Sequence, residues 1–296
     1  MDTIYHKSVL VKEVIKYLNP QPGKLYIDAT FGGGGHTKEI LEAQPTCRVL
    51  AIDLDQNAIE KNAAPLQEKY GDRLQITWGN FAHLHRILKK AKIKKIDGIL
   101  ADFGTSQYQI MHEEGFSFRK DTPLDMRMSA AHFRQTAADV INYSTEKELA
   151  DIFFEYGEET KSRKIAKKIC EERKIKKITT TLQLAKIIED IMPHAKHFRK
   201  THPATKVFQA LRIFVNKELE SIETLLKNVI PFLNPDGRIV CISFHSLEDR
   251  IVKYSFKENK DTLEILTKKP IIPTDEEIAK NPSSRSSKLR AAQRIA

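Results

Sequence analysis

Three aspartates, Asp28, Asp53 and Asp102, each follow an apolar run of the kind that forms a buried strand. After the first of them comes the segment 31–36, Phe-Gly-Gly-Gly-Gly-His, which holds four of the twelve glycines. A strand that stops in glycines and restarts as a helix lets the backbone approach a ligand closely. An acid about twenty residues beyond such a loop is placed to bind ribose hydroxyls. The spacing of Asp53 therefore predicts a cofactor that contains a nucleoside.

Other kinds of glycine-rich segment fit this chain less well. A flexible linker would not need the flanking strand and helix. A dinucleotide-binding G-x-G-x-x-G motif needs a third glycine where the chain has Thr37, and a phosphate-binding P-loop needs a lysine where it has His36. Without a pyrophosphate cradle, the pattern resembles that of the S-adenosylmethionine-dependent methyltransferases.

Asp102, which precedes Phe-Gly-Thr-Ser, is the best candidate for a catalytic residue. Methyl transfer from a sulfonium needs an aligned nucleophile more than an activated side chain, because the leaving group is already charged. A carboxylate at this strand end can orient an exocyclic amine; alternatively, it only caps the next helix or binds a local amide. Attack from carbon C5 of cytosine would need a cysteine nucleophile, and no cysteine follows a proline or lies beside this loop.

The elements that must position these residues follow from the alternation of strand-like and helix-like segments. Four such units fill roughly the first 105 residues, and a fifth strand is expected at 237–244. The predicted fold class is therefore α/β, a Rossmann-like, doubly wound sheet. From about 131 to 192 the pattern is helical throughout, which indicates an inserted all-helical domain. The basic, serine-rich tail 282–294 is expected to be disordered or to fold on RNA.

Charge and cysteine content restrict the partners and the compartment. The chain has 49 basic and 39 acidic residues, a formal charge of +10, which favours a polyanion such as RNA over a merely solvated basic surface. The three cysteines lie far apart, which indicates buried thiols in a reducing compartment. No apolar run approaches the ~18 residues of a membrane span, and no signal peptide is evident. We expect a cytoplasmic protein without membrane contact.

Histidines occur in two notable places. His194, His197 and His202 lie among lysines and arginines without acidic or cysteine companions, so we expect no metal site. His245 precedes Ser-Leu-Glu-Asp at 246–249, a pattern typical of a helix cap, and is expected to point into the cleft at the strand ends.

Two long segments carry a family resemblance: His-Pro-Ala-Thr-Lys-Val-Phe-Gln-Ala-Leu-Arg at 202–212 and Ser-Phe-His-Ser-Leu-Glu-Asp-Arg at 243–250. Shorter segments at 115–119, 123–128 and 281–290 extend it over nearly the whole chain. They resemble the bacterial 16S rRNA cytosine-N4 methyltransferase family. The resemblance implies a class I methyltransferase that uses S-adenosylmethionine to methylate N4 of a cytidine in the decoding region of 16S rRNA, in the small ribosomal subunit.

The resemblance also implies domains and site residues. It divides the chain into a methyltransferase domain at 1–110, an inserted helical substrate-recognition domain at 111–205, and the rest of the methyltransferase domain with its basic tail at 206–296. Asp102 carries over as the catalytic residue. The implied cofactor-binding residues are Gly34, Gly35, His36, Asp53, Phe81, Asp102 and Gln109. From its position alone, Phe81 could equally pack in the core.

The sequence differs from the family pattern in one segment, which the resemblance places on the substrate side of the site. After Asp102 and a glycine the family pattern runs Val-Ser-Ser-Pro-Gln-Leu-Asp, whereas residues 105–111 read Thr-Ser-Gln-Tyr-Gln-Ile-Met.

Three alternative functions stay open: a dehydrogenase that shares the Asp53 signal, a noncatalytic RNA-binding ribosome-assembly factor, and a methyltransferase that acts on a different RNA amine. The proton released by the amine could pass to Asp102 or to water.

Overall fold

The computed structural model describes residues 8–104, 114–192 and 202–295, which form two compact units. The sheet unit comprises 1–107 and 219–296, and the helical unit comprises 108–218. Within the described residues, no helix is both long and apolar enough to cross a membrane.

The sheet unit contains seven strands. They are β1 (Leu25–Asp28), β2 (Arg48–Asp53), β3 (Leu74–Trp78), β4 (Ile96–Asp102), β5 (Leu233–Ser243), β6 (Leu263–Ile265) and β7 (Lys288–Arg294). Their order is β3-β2-β1-β4-β5-β7-β6. β7 runs antiparallel to β5 and β6, and the other strand pairs are parallel. The chain order reverses between β1 and β4, so the carboxyl ends of the parallel strands flank a switch point, where such sheets bind ligands.

Helices cover the sheet, and others build the helical unit. In chain order they are α1 (Val11–Leu18), α2 (Gly35–Ala43), α3 (Gln56–Tyr70), α4 (Leu84–Lys90), α5 (Ala137–Tyr143), α6 (Glu146–Glu155), α7 (Ser162–Ile175), α8 (Thr181–Ile191), α9 (Thr205–Asn216), α10 (Glu218–Val229), α11 (Ser246–Glu258) and α12 (Asp275–Lys280). Successive residues of a strand point to opposite faces. Tyr26 accordingly packs with residues of α1, and Ile27 packs with residues of α10 and α11.

The helical unit has an apolar core of its own, with Phe153, Ile165 and Leu211 buried in it. Three of its described helices, α5, α6 and α8, start at capping boxes, and Thr145 and Glu148 form that of α6. The predicted boundary at 205/206 falls inside α9, whereas the structure divides the chain after that helix. The apolar face of α9 explains the difference, because it packs on α5 and α6.

The predicted α/β sheet with an inserted helical domain is confirmed. The expected disorder of the tail 282–294 is wrong, because β7 inserts between β5 and β6. Leu289 and Ala291 are fully buried there, and Arg290 donates to both carboxylate oxygens of Asp249 at 2.7 and 3.0 Å. Alanine and arginine have low strand propensity, so the sequence of β7 only weakly predicts a strand. The hydrogen bonds that order it come from the neighbouring strands β5 and β6.

Candidate functional site

The glycine loop between β1 and α2 is anchored by Asp28. Its carboxylate accepts hydrogen bonds from the Thr37 hydroxyl at 2.6 Å and from the backbone N–H of Thr30 at 3.1 Å. Gly34 adopts a left-handed conformation with φ 74°, and a Cβ atom there would lie 2.3 Å from Leu66 Cδ1. The loop therefore needs glycine at this position both for its backbone angle and for its packing. Burial raises the pKa of Asp28 to about 7.

Asp53 lies at the end of β2 and faces the same loop. One oxygen accepts the backbone N–H of Gly32 at 2.6 Å, and the other accepts that of Asp55 at 2.8 Å. Burial raises the pKa of this carboxyl to about 6. The neighbouring Trp78 indole donates to the Leu54 carbonyl at 2.9 Å and so fixes the segment that carries the acid. A carboxylate held in this way can accept further hydrogen bonds from vicinal hydroxyls through its remaining lone pairs.

Asp102 and His36 meet above the first turn of α2. The Nε2 atom of His36 lies 2.9 Å from the Val9 carbonyl, and its Nδ1 atom lies 3.8 Å from Asp102 Oδ2. Burial, followed by the charges of Asp28 and Glu248, raises the pKa of Asp102 to about 8. Its Oδ1 atom is buried and has no hydrogen-bond partner among the residues that the structure describes. An orphaned acceptor of this kind indicates a place for a donor from a ligand.

Phe81 and Gln109 complete the predicted set. Phe81 is half-buried after β3, and its ring centroid lies 5.9 Å from that of Phe103. It therefore packs on the core while part of it stays accessible. Gln109 lies outside the described residues.

His245, which the sequence predicted to point into the cleft, lies next to Glu248, which the sequence did not assign to the site. His245 is itself the N-cap of α11. Glu248 is fully buried; its Oε2 atom accepts the backbone N–H of Phe244 at 2.7 Å and that of His245 at 3.3 Å. Its Oε1 atom lies 3.2 Å from His245 Nε2. The sequence pattern predicted a cap at 246–249, whereas the structure starts the capping box one residue earlier, at His245.

The loop and strand ends fit a nucleoside cofactor that carries an amino-acid moiety. A Cβ at Gly32 would meet no atom within 4 Å, so the backbone there borders open space. The Asp53 carboxylate lies beside this opening, and at the end of β4 the Oδ1 atom of Asp102 has no partner among the described residues. This arrangement provides backbone donors and carboxylate acceptors, the polar groups that ribose hydroxyls and an amino-acid moiety require.

The helical unit carries a basic groove where α6 leads into α7. The groove has a volume of about 500 Å³, and its lining includes Phe154, Lys161, Arg163 and Lys164. Phe154 is 60% exposed, so its ring is available to a stacking partner. Asp151 also lines it, although Lys147 pairs with that carboxylate at 2.6 Å. Exposed aromatic and cationic side chains together suit a single strand of nucleic acid.

Of the three histidines at 194–202, only His202 lies within the described residues. Its Nε2 atom lies 2.6 Å from Glu189 Oε1, and its ring stacks on Phe118 with centroids 4.4 Å apart. The sequence analysis expected no acidic residue near these histidines, but Glu189 of α8 lies beside His202.

The chain is similar to known methyltransferases. The model of the MraW methylase family matches residues 3–295. A protein named ribosomal RNA small subunit methyltransferase H from a Sulfurihydrogenibium species is 47% identical over 294 residues, which cover 99% of this chain and 100% of its own. The protein of the same name from Nostoc punctiforme is 50% identical over 291 residues, with 98% and 94% covered. An rRNA methylase structure from Streptococcus thermophilus superposes with a TM-score of 0.46 at 8% identity, covering 97% of this chain and 94% of that one.

Proposed function

This chain belongs to the MraW methylase family, and we propose that it methylates N4 of a cytidine in the decoding region of small-subunit ribosomal RNA. S-adenosylmethionine is the methyl donor. The observation that carries the proposal is the buried Oδ1 atom of Asp102 at the switch point of the sheet, which has no hydrogen-bond partner among the described residues, together with the open space at Gly32 in the glycine loop.

The residues of the sheet unit divide the binding of the cofactor among them. Asp53 holds the ribose hydroxyls, since it already accepts a loop N–H and ends the second strand. The backbone of Gly34 and Gly35 borders the amino-acid moiety, with His36 and Gln109 beside it, and Phe81 borders the adenine. When bound, S-adenosylmethionine supplies an electrophilic methyl group on a sulfonium, which leaves as a neutral thioether.

Asp102 orients the nucleophile. Its Oδ1 atom accepts a hydrogen bond from the exocyclic amine whether or not Oδ2 carries a proton, so the amine lone pair is aimed at the methyl group. Most of the rate enhancement then comes from positioning in a site that excludes water. An amine donor meets this acceptor, whereas the carbonyl oxygen that uracil has at C4 would repel it.

The RNA reaches the site as an unstacked strand, because an amine inside a helix is not accessible to the methyl group. The basic groove of the helical unit provides cations for phosphates and Phe154 for a base. The three cysteines, Cys47, Cys170 and Cys241, are buried thiols, which supports a cytoplasmic location where ribosomal subunits assemble.

The experiment that tests this function identifies the product atom. Full-length protein, S-adenosylmethionine labelled on its methyl group and small subunits from a strain that lacks the modification are incubated, and the digested RNA is analysed by mass spectrometry. We expect N4-methylcytidine at one position, and loss of at least 100-fold in rate for Asp102→Ala. RNA binding without label transfer would favour an assembly factor, and label on another amine would overturn the cytidine assignment.

A further inference from the structure

Helix α7 of the helical unit begins with two unused backbone donors. Its N-cap residue, Lys161, makes no side-chain cap hydrogen bond. The buried Glu159 accepts the N–H of Lys161 at 2.9 Å through its carboxylate and the N–H of Ser162 at 3.2 Å through its carbonyl. The next two N–H groups, those of Arg163 and Lys164, have no hydrogen-bond partner among the described residues. They are therefore available to an acceptor from outside the helix.

A third unused donor lies at the same helix end, and it does not depend on the helix. Ser162, the first residue of α7, is only 5% exposed, yet it lines the basic groove between α6 and α7. Its hydroxyl forms no hydrogen bond with any residue in the described part of the chain. A polar group that is shielded from bulk water and left unpaired indicates that a ligand atom belongs beside it.

The charges around this helix end favour an anion. Lys161, Arg163 and Lys164 are exposed, line the groove and form no ion pair with a described acid. The acid in the lining, Asp151, pairs with Lys147 at 2.6 Å. The aligned peptide dipoles of α7 add about half a positive charge at its amino end. Three donors beside three cations suit a group with several negative oxygens, and a phosphate is such a group.

Phe154 indicates which phosphate compound fits. Its ring lies in the last turn of α6, is 60% exposed and lines the same groove. The groove has a volume of about 500 Å³, which is within the range of sites for small ligands. An aromatic face beside an anion site suits a nucleotide, because its base can stack on the ring while its phosphate is bound.

We infer that the amino end of α7 binds one backbone phosphate of a single-stranded RNA, with an adjacent base stacked on Phe154. The N–H groups of Arg163 and Lys164 and the hydroxyl of Ser162 donate to the phosphate oxygens, and the three cations balance its charge. That the polymer is RNA rests on the proposed function, whereas the phosphate site rests on the groove itself. A discrete site of this kind fixes the register of the strand on the helical unit, which a diffuse basic surface cannot do.

The first test maps the site on the full-length protein with short probes. Arginine and lysine are labelled with ¹⁵N, and the two amide signals are assigned from Arg163→Lys and Lys164→Arg, which keep the charge. The protein is titrated with two cytidines joined by one phosphodiester, with the neutral methylphosphonate analogue of that dinucleotide, and with inorganic phosphate. We expect the dinucleotide to shift both amides saturably and the analogue to leave them unchanged, because it lacks the charged oxygen that the N–H groups bind.

The second test uses variants that separate the hydroxyl from the ring. Ser162→Ala keeps every cation and should weaken the dinucleotide and inorganic phosphate by about 10-fold or more, the effect of one hydrogen bond to a charged group. Phe154→Ala should weaken the dinucleotide alone, because the ring contacts a base. The control Ser144→Ala removes another serine hydroxyl of the helical unit and should keep wild-type affinity for both probes. Urea unfolding checks that each variant keeps its fold.

Three outcomes would overturn the inference. If the methylphosphonate analogue binds as tightly as the dinucleotide, the site does not recognise a phosphate charge. If Ser162→Ala keeps wild-type affinity, the groove is a diffuse basic surface. If the dinucleotide binds no more tightly than inorganic phosphate, the site holds a free anion and not an RNA strand. These readouts need neither cofactor nor methyl transfer, so a product other than N4-methylcytidine would refute the proposed function without changing them.

Discussion

The Asp53 carboxylate accepts the backbone N–H of Gly32 at 2.6 Å, so the acid at the end of β2 holds the glycine loop that follows β1. One side chain thus serves two tasks: it shapes the loop and it presents its remaining lone pairs to a ligand. Burial raises its pKa to about 6, and hydrogen bonds from Asp55 and Gly32 oppose that rise. Loop geometry and ribose binding should therefore respond together when this carboxylate is changed.

Asp53→Asn should weaken binding of S-adenosylmethionine about 10- to 100-fold, because each hydrogen bond to a charged acceptor contributes about 1.5–3 kcal/mol and each one to a neutral amide only about 0.5–1.5 kcal/mol. Trp78 is the only tryptophan, is 45% exposed and pairs with Asp53 in register, so its fluorescence can report the titration. The exposed Asp72 provides the control Asp72→Asn, which should keep wild-type affinity. Equal affinities for both variants would contradict a ribose role for Asp53.

Two glycines with positive φ allow the cost of backbone strain to be separated from the cost of overpacking, because a Cβ atom would be crowded at one of them and not at the other. A Cβ at Gly34 would meet Leu66 and the Phe31 ring, whereas a Cβ at Gly23, where φ is 69°, would meet nothing within 4 Å. Gly23→Ala should therefore cost only about 1–2 kcal/mol of backbone strain, and Gly34→Ala should cost about 1–3 kcal/mol more through overpacking. Urea unfolding measures both. Similar free energies of unfolding for the two variants would show that the loop relaxes around the added methyl.

The buried carboxyls predict that the sheet unit loses stability as pH rises. The pKa of Asp28 is raised from 3.8 to about 7, so between these values the folded state binds more protons than the unfolded chain. The free energy of unfolding then falls with pH, by up to about 1.4 kcal/mol per pH unit for one such group.

Asp28→Asn isolates this effect, since the amide oxygen can still accept the Thr30 N–H and the Thr37 hydroxyl can turn. Relative to wild type, the variant should gain stability between about pH 5 and pH 7 and stay level above that range, as urea unfolding across the pH series would show. Parallel curves for the two proteins would mean that Asp28 ionises normally in the fold.

The basic groove of the helical unit predicts how RNA affinity depends on charge. Reversing Lys161, Arg163 and Lys164 to glutamate should weaken binding of a single-stranded RNA at least 10-fold. The salt slope should become shallower by about 0.7 for each phosphate that the groove no longer neutralises. Phe154→Ala should reduce affinity by about 1–3 kcal/mol with an unchanged salt slope, because it removes stacking and no charge. Fluorescence anisotropy measures both quantities.

A control with the same change in net charge uses exposed lysines of the sheet unit: Lys227, Lys257 and Lys260 changed to glutamate. If this triple variant weakens RNA binding as much as the groove variant does, the groove is not the contact surface, and affinity follows total charge alone.

The strands, the glycine loop and the acids at the strand ends could be predicted from sequence, because their signals are local. Apolar periodicity marks the strands, and four consecutive glycines mark the loop. The spacing between the loop and Asp53 could be read without knowledge of packing. In the structure Asp53 lies against this loop and accepts the Gly32 N–H. The family resemblance likewise rests on contiguous segments of residues.

What the tertiary structure alone decided involves groups that are distant in sequence. The 282–294 tail holds a strand only because β5 and β6 offer it hydrogen bonds on both sides. Burial raises the pKa of Asp102, and the charges of Asp28 and Glu248, which other elements bring close to it, raise it further. The cap pattern predicted the start of α11 but not that the buried Glu248 carboxylate would lie 3.2 Å from His245 Nε2. Local sequence determines which chemical groups are present, whereas their desolvation and mutual approach depend on the complete fold.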